Sequence, residues 1–213
     1  MYLLNESLSF PSVTESTEDG LLAMGGDLST ARLLLAYRSG IFPWYEDGSP
    51  ILWWSPDPRM VLFPNDLRVS KSLRKVLKRK KFSITYNIAF NEVIKQCAVV
   101  KRKAQHDTWI TSEMIMAYTR LHELGHAVSV EVWYEGVLVG GLYGIDLPEF
   151  GVFCGESMFS LVSEASKVAF FHLVEHLKTK NYKLIDCQVY TQHLARLGAV
   201  EMPRAHFLAY LNC

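Results

Sequence analysis

Residues 127–145, AVSVEVWYEGVLVGGLYGI, decide the fold class. Small or apolar residues alternate with polar ones along Ala127–Trp133, which is typical of a β-strand with one buried face. Glu135 and Gly136 form a turn pair, and Val137–Ile145 follows as a second, apolar strand. This stretch therefore predicts a β-hairpin.

Strand and helix patterns surround this hairpin on both sides. Phe82–Tyr86 predicts a short strand, whereas Ile88–Ala98 and Ser112–Leu124 have the apolar spacing of helices. The later predictions are a strand at Phe150–Cys154, a helix at Ser163–Lys178, a strand at Lys183–Val189, a short helix ending at Gly198 and a last strand near Phe207–Leu211. This order predicts a mixed α/β (α+β) fold, with helices packed on a central, largely antiparallel sheet.

The N-terminal part has a different composition. Five of the eight prolines and three of the five tryptophans lie between residues 43 and 64. A helix precedes this stretch, with Ser29 as its N-cap and Gly40 at its end. We therefore expect a small, aromatic-rich N-terminal domain over residues 1–65 and a larger domain over residues 66–213.

The charge is unevenly distributed, although 22 basic and 22 acidic residues cancel. The segment of residues 68–81, RVSKSLRKVLKRKK, holds eight cations and no acid. Its spacing predicts a short amphipathic helix in which Leu73, Val76 and Leu77 anchor a cationic stripe. Such a stripe favours an anionic partner, most often a phosphate backbone, and the neighbouring tryptophans suit stacked bases.

Composition excludes several classes of protein. Hydrophobic residues make up 49% and charged residues 21%, which is typical of a globular chain and not of a disordered one. No apolar run is long enough to span a membrane, and the N-terminus lacks the pattern of a secretory signal. Cys97, Cys154, Cys187 and Cys213 show no CxxC spacing, so we expect reduced thiols. We therefore expect a soluble, cytoplasmic protein. A monomer is a separate expectation that does not follow from composition.

Two short motifs suggest hydrolases. His122, Glu123 and His126 fit H-E-x-x-H, in which two histidines one helical turn apart bind zinc. Strand alternation begins directly after His126, however, so the helix is expected to end at Gly125 and to separate the two imidazoles. Ser157 lies in a partial G-x-S-x-G pattern, at an expected strand-to-helix junction. A zinc peptidase stays open as an alternative, and a serine hydrolase is disfavoured because no acid–histidine pair follows.

Asp186 and Gln188 lie two residues apart in the apolar strand KLIDCQV. Residues at this spacing project from the same face of a strand. A carboxylate and an amide in such surroundings must be hydrogen-bonded to each other or to neighbours, or line a cleft. A structural network and a functional site are both consistent with this pattern.

Taken together, nine stretches resemble the bacterial leucyl/phenylalanyl-tRNA–protein transferases. In order along the chain they are GLLAMGGDLS, AYRSGIFPW, ILWWSPDPR, TWI, AYTRLHELGHAVSVEVW, LVGGLYG, FCGESMFS, ASK and LIDCQ. They run from residue 20 to residue 188. The resemblance implies an acetyltransferase-like α/β domain after a small N-terminal domain.

The resemblance also implies a reaction. The family transfers Leu, Phe and, less often, Met from aminoacyl-tRNA to the α-amino group of proteins that begin with Lys or Arg, and so marks them for degradation. No metal, ATP or other cofactor is implied, because the ester to tRNA is already activated. The alternatives are a non-catalytic RNA-binding module on the same fold and the zinc peptidase.

The resemblance assigns roles to three groups of residues. Gln188 accepts a hydrogen bond from the attacking amine, Asp186 polarises that amide, and Glu156 binds either the amine or the basic side chain of the acceptor. If the tRNA ribose hydroxyl assisted the reaction instead, Gln188 would only orient the amine. The pocket for the donor side chain comprises Leu142, Phe153, Met158 and Ile185. Adenosine and tRNA contacts fall to Tyr37, Trp44, Trp109, Lys71, Arg74, Lys75, Lys78 and Arg79.

Overall fold

The computed structural model describes residues 2–99 and 109–212 and contains two sheets. The first sheet has the strands β1 (Tyr2–Leu4), β2 (Leu21–Gly25), β3 (Phe42–Pro43) and β4 (Leu52–Trp54). The second has β5 (Arg59–Leu62), β6 (Ser83–Tyr86), β7 (Ala127–Tyr134), β8 (Val137–Leu147), β9 (Val152–Ser160), β10 (Leu184–Gln188) and β11 (Val200–Met202). The α-helices of the described residues are α1 (Thr30–Arg38), α2 (Lys71–Lys78), α3 (Phe90–Val99), α4 (Ser112–Glu123), α5 (Ala165–Thr179), α6 (Gln192–Arg196) and α7 (Arg204–Leu208).

The second sheet has the strand order β11-β5-β10-β9-β8-β7-β6. Its neighbouring strands are antiparallel except for β9 and β10, which run parallel. The predicted mixed α/β class with a largely antiparallel central sheet is therefore confirmed. At the turn of the predicted hairpin, Glu135 and Gly136 have φ angles of +52° and +78°, as a tight hairpin turn requires.

Two apolar clusters cover the two faces of this sheet. Because neighbouring residues of a strand point to opposite faces, Leu142 of β8 belongs to the cluster beneath α5, whereas Tyr143 belongs to the cluster with α1, α3 and α4. Trp53 of the first sheet is fully buried in the cluster that contains Tyr143. The first sheet and α1 thus share a core with the large sheet.

The expected division after residue 65 stays a prediction. The first sheet ends at Trp54 and the second begins at Arg59, within the segment that we assigned to the N-terminal domain. Strand β5 lies between β10 and β11 inside the large sheet. A segment of the N-terminal part therefore supplies an interior strand to the sheet that carries most of the fold.

The predicted strand near Phe207–Leu211 was wrong. Residues Arg204–Leu208 form the helix α7, with Pro203 at its N-cap, and the last strand is Val200–Met202. Proline is common at the start of a helix, because N–H groups there have no partner within the helix and proline has no N–H to leave unpaired. Phe207 and Leu211 are buried, but Ala209, which a two-residue period would bury with them, is exposed.

Candidate active site

Strand β10 ends in an irregular turn at Gln188. The pairing with β5 shifts between Asp186 and Gln188, and Gln188 has a φ of +64°. The N–H of Val189 donates to the carbonyl of Cys187 over 2.9 Å, which closes a three-residue turn around Gln188. The shift breaks the predicted alternation. Asp186 is therefore buried, while Gln188 reaches a cavity.

A buried ion pair lies beneath this turn. Arg59 of β5 donates from Nε and Nη2 to the two carboxylate oxygens of Asp186, over 2.8 and 2.7 Å. Both side chains are 1% exposed. The guanidinium lies between the rings of Phe42 and Phe207, 4.9 and 4.7 Å from their centroids. Such two-pronged pairs fix the orientation of both partners.

Asp186 also binds the main chain of Gln188, whose N–H donates to Oδ1 over 2.9 Å. The structure thus differs from the expected relay, in which Asp186 polarised the side-chain amide. The carboxylate instead holds the turn that carries Gln188. Its influence on the amide passes through the backbone.

The amide of Gln188 contacts Glu156. Its Nε2 donates to Oε1 of Glu156 over 2.8 Å, and the hydroxyl of Tyr118 donates to Oε2 over 3.2 Å. The hydroxyl of Tyr37 is hydrogen-bonded to that of Tyr118 behind it. Because the amide nitrogen can only donate, Oε1 of Gln188 is the atom of this side chain that can accept a hydrogen bond from a ligand.

Burial raises the pKa of the Glu156 carboxyl to about 7, and the negative charge of Asp186 adds to this increase. Hydrogen bonds from Tyr37, Tyr118 and Gln188 stabilise the carboxylate and limit the increase in pKa. At neutral pH the group is therefore divided between its acid and its carboxylate. This is the condition in which a side chain accepts and returns a proton most efficiently.

Glu156 lies at a β-bulge. Tyr143 of β8 pairs with Ser157, and the next residue, Gly144, pairs with Gly155, so Glu156 is the extra residue of β9. A bulge redirects a side chain out of the regular alternation of a strand. Here it occurs next to the point where the pairing of β9 with β10 ends, at Cys154 and Asp186.

Glu156 and Gln188 line a cavity of about 440 Å³. Its other walls are mainly apolar and include all four residues predicted for the donor side chain, Leu142, Phe153, Met158 and Ile185. The sequence did not indicate the contributions of Phe42, Phe170, Leu173, His193 and Leu194. The structure thus brings the predicted catalytic residues Glu156 and Gln188 and the predicted pocket residues to one cavity.

Gly144 allows Phe153 to form a wall of this cavity. A Cβ at position 144 would lie 2.3 Å from the carbonyl oxygen of Cys154 and 2.5 Å from Cζ of Phe153. Only glycine leaves room for the ring and the neighbouring strand at this point. The glycines of LVGGLYG thus have a structural role as sites of close approach.

A sequence model described as leucyl/phenylalanyl-tRNA protein transferase matches residues 61–212, and a model described as the N-terminal domain of that protein matches residues 26–57. The chain belongs to the leucyl/phenylalanyl-tRNA–protein transferase family. The resemblance of the nine stretches is confirmed, and so is the predicted class of enzyme, an aminoacyltransferase.

Relatives of that name are similar over the whole chain. The Flavobacterium psychrophilum protein is 60% identical, and the match covers 100% of both chains. The Flavobacterium johnsoniae protein is 59% identical over 100% of this chain and 99% of its own, and the Christiangramia forsetii protein is 54% identical over 99% and 100%. The family assignment therefore covers both the N-terminal part and the large sheet.

Two solved structures illustrate distant similarity. L-PGS from Bacillus licheniformis has a TM-score of 0.41 and 13% identity, over 82% of this chain and 57% of that chain. A GCN5-related N-acetyltransferase from Kribbella flavida has a TM-score of 0.36 and 13% identity, over 80% and 59%.

Of the aromatic residues that the family resemblance assigns to adenosine, two line the cavity. Trp44 is 39% exposed at its rim, and Trp109 is partly buried beside it. Tyr37 is 2% exposed and does not line the cavity, because its hydroxyl is directed at Tyr118 in the core. In this structure Tyr37 is therefore not placed at the cavity surface, and its contact with adenosine stays a prediction. Tyr37 supports Tyr118 beneath the site.

The basic helix is α2, which begins after Ser70. The hydroxyl of Ser70 accepts a hydrogen bond from the N–H of Leu73, and Leu73 is buried against the core. Lys71, Arg74, Lys75, Lys78 and Arg79 are all exposed and outside the cavity. Within the described chain, none of these five forms an ion pair with a carboxylate. The cationic stripe is thus available to an anionic partner.

The geometry at H-E-x-x-H differs from that of a zinc site. Helix α4 ends at Glu123, and His126 follows Gly125, which has a φ of +82°. His122 stacks on Phe90, with 4.3 Å between ring centroids, and its Nδ1 lies 2.8 Å from the carbonyl oxygen of Ala127. No group of three potential ligands for a metal occurs in residues 2–99 and 109–212. These imidazoles do not share a helical face.

The remaining motifs have structural roles or lie elsewhere. Ser157 lies inside β9, so the expected strand-to-helix junction at this serine was wrong. Cys97, Cys154 and Cys187 are buried and no disulfide joins them, and burial raises the thiol pKa of Cys154 and Cys187. Cys213 and Thr108 lie outside the described residues. No described helix has both the length and the apolar character that crossing a membrane requires.

Sequence reasoning missed Arg59 and Tyr118. A signal for Arg59 was present, since this residue opens the apolar run RMVLF. A cation in such a run must find a buried partner. Tyr118 carries no comparable signal, because a tyrosine on the apolar face of a helix is ordinary in a core.

Proposed function

We propose that this chain transfers leucyl and phenylalanyl groups, and less often methionyl groups, from aminoacyl-tRNA to the α-amino group of proteins that begin with Lys or Arg, and thereby marks these proteins for degradation. One observation carries the proposal: an apolar cavity of about 440 Å³ has a carboxyl and an amide in contact at its wall. The names of the relatives supply the donor class. A cytoplasmic location and a monomeric state stay predictions.

The apolar walls suit the donor side chain. Leucine, phenylalanine and methionine are unbranched at Cβ and bury apolar surface, which stabilises the complex by about 25 cal/mol per Å². Trp44 and Trp109 lie at the cavity and offer faces on which the terminal adenosine can stack. The ester carbonyl would then lie near Glu156 and Gln188, because these line the same cavity.

The reaction forms one C–N bond and breaks one C–O bond. The α-amine of the acceptor attacks the ester carbonyl, and the ribose oxygen of the tRNA leaves. The nitrogen must lose a proton and the leaving oxygen must gain one. Glu156 accepts the first proton and returns it to the oxygen, while Oε1 of Gln188 orients the amine.

The Glu156 carboxyl is matched to this task. An α-amine has a pKa near 8, and the pKa of Glu156 is raised by burial to about 7. An ordinary carboxylate would be a weaker base by about three powers of ten in its equilibrium constant. Of the two roles that the sequence left open for Glu156, contact with the amine is therefore favoured over binding of the basic side chain.

Transfer of labelled Leu from Leu-tRNA to a peptide that begins with Arg tests the proposal directly. The matched control is the same peptide beginning with Ala. We expect transfer to the Arg peptide only. Binding of the tRNA without transfer would indicate the RNA-binding module, and transfer to both peptides would contradict the acceptor specificity.

The basic helix α2 predicts a salt-dependent affinity for the donor. If about five phosphates are contacted, log affinity should fall against log salt with a slope near −4, since each contact releases a counterion. Changing Lys75, Lys78 and Arg79 to Ala should reduce the slope to about −2. Filter binding with donors of different sequence should show similar losses.

Lys95 and Arg120 provide the control for this prediction. They are exposed cations on α3 and α4, which pack on the opposite face of the large sheet from α2. Changing both to Ala should leave the slope unchanged. An equal reduction by both sets of changes would show that only net charge matters and would contradict a binding stripe on α2.

We expect the Leu142 side chain to limit the size of the donor side chain that the cavity accepts. Its side chain is buried and lines the cavity. Leu142→Ala should widen the cavity and raise the ratio of kcat/KM for Phe over Leu by about 10-fold, since one or two methylenes change discrimination by that order. Leu121→Ala, at a buried position of the other cluster, should destabilise the fold without changing this ratio.

A further inference from the structure

Arg59 lies beneath the turn at Gln188 and takes part in no step of the proposed reaction. It is fully buried, it donates hydrogen bonds to both carboxylate oxygens of Asp186, and its guanidinium packs on two aromatic rings. The Oδ1 atom of Asp186 is shared between Nε of Arg59 and the main-chain N–H of Gln188. The carboxylate of Asp186 thus connects Arg59 to the turn that carries the predicted catalytic side chain of Gln188.

Stability alone does not account for this pair. Burying two charges is unfavourable, and apolar replacements of a buried ion pair are often as stable or more stable. A two-pronged pair does, however, hold the carboxylate plane in one orientation. A lysine would not do so, because its ammonium is a point charge without the fork of donors.

The turn at Gln188 needs such support. A non-glycine residue with φ of +64° is strained, and strained residues persist only where the surroundings determine them from several sides. Here Asp186 holds the N–H of Gln188, and Glu156 holds its amide. Phe42, which packs on the guanidinium, also lines the cavity, so this support reaches its wall.

We propose that Arg59 is a positioning residue for aminoacyl transfer: it orients Asp186, which fixes the turn at Gln188 and thereby directs the Gln188 amide at Glu156 and at the attacking amine. The inference rests on the proposed function. Arg59 does not line the cavity, so its loss should affect the rate of the chemical step and not the binding of the donor.

A double-mutant cycle in the full chain separates positioning from folding. Single-turnover transfer of Leu from saturating Leu-tRNA to the Arg peptide is measured for the wild type and for the variants Arg59→Met, Gln188→Ala and their combination. We expect Arg59→Met to lower the rate by about 100-fold, the effect of a misplacement of about 1 Å. In the Gln188→Ala background it should cause almost no further loss. Donor affinity should be unchanged.

Two variants make the result interpretable. Arg59→Lys keeps the charge but not the fork, and should fall between wild type and Arg59→Met; it replaces Arg59→Met in the cycle if that variant does not fold. Arg32→Met is the matched control, because Arg32 is also 1% exposed and pairs with Asp27 over 3.2 Å, away from the cavity. It should lose stability but keep its rate per folded molecule.

Losses that multiply in the double variant would overturn the inference, as would an equal loss of rate in Arg32→Met. Either result would give Arg59 a role in the fold only. Failure of the wild type to transfer Leu at all would contradict the proposed function instead. The two failures are therefore distinguishable.

Discussion

Glu156→Gln should lower the single-turnover rate of aminoacyl transfer by about 10²–10⁴-fold, the range for loss of a general base. Glutamine has the same shape and can keep both contacts, accepting from Gln188 and donating to Tyr118. The change therefore removes the proton acceptor and little else. Rapid-quench measurement with saturating Leu-tRNA and the Arg peptide gives the rate.

The pH dependence should change in the same variant. With a Glu156 pKa of about 7, the wild-type rate should rise with pH through 7 and again near 8 as the amine loses its proton. The step near 7 should be absent in Glu156→Gln. An unchanged step would assign that titration to another group and contradict the role of Glu156 as base.

The stability of the fold should decrease with rising pH, whereas the rate of transfer should increase. The folded-state pKa of Glu156 is raised from 4.5 to about 7, so the folded state holds this proton more tightly than the unfolded chain. The free energy of unfolding should therefore fall as pH rises from 4.5 to 7, and the variant should lack this fall. Urea unfolding at pH 5 and pH 8 measures it and shows in addition that the variant is folded.

Asp186→Ala should lower the free energy of unfolding by about 3–5 kcal/mol, because it leaves the buried Arg59 without its partner. Transfer should be lost as well, since the N–H of Gln188 loses its acceptor. The combination Arg59→Met and Asp186→Leu should recover most of the stability, because no unpaired charge remains, but not the activity. Chemical denaturation and the transfer assay are run on the same preparations.

Asp27→Ala is the control for this prediction. Asp27 also pairs with a buried arginine, but its own side chain is 52% exposed, so water can replace the carboxylate. We expect a loss of about 1 kcal/mol or less. If Asp27→Ala and Asp186→Ala destabilised the protein equally, the burial of Asp186 would not explain the loss of stability.

The sequence predicted those parts of the fold in which apolar residues recur at a regular spacing. The alternation at Ala127–Trp133 and the spacing in α3 and α4 came out as strand and helices. In the strand, however, the polar residues Ser129 and Glu131 are buried as fully as the apolar ones. The helix α7 was missed, since three apolar residues fit either period until Pro203 is considered. Periodicity thus predicts long elements better than short ones.

The site depends on departures from periodicity, which a sequence does not reveal. Glu156 is placed by a bulge and Gln188 by a shift of register, and both change where a side chain points. The resemblance supplied the residues of the pocket, and the structure places all four at the cavity. It could not supply the bond between Glu156 and Gln188 or the burial of Tyr37.

The position of β5 in the large sheet has a consequence for dissecting this protein. A fragment that starts at residue 66 would omit β5 and leave β10 and β11 without the strand that separates them. It would also omit Arg59, so that Asp186 would be a lone buried charge. We therefore expect that the C-terminal portion does not fold on its own when it is cut there. A truncation intended to isolate the catalytic half should begin before Arg59.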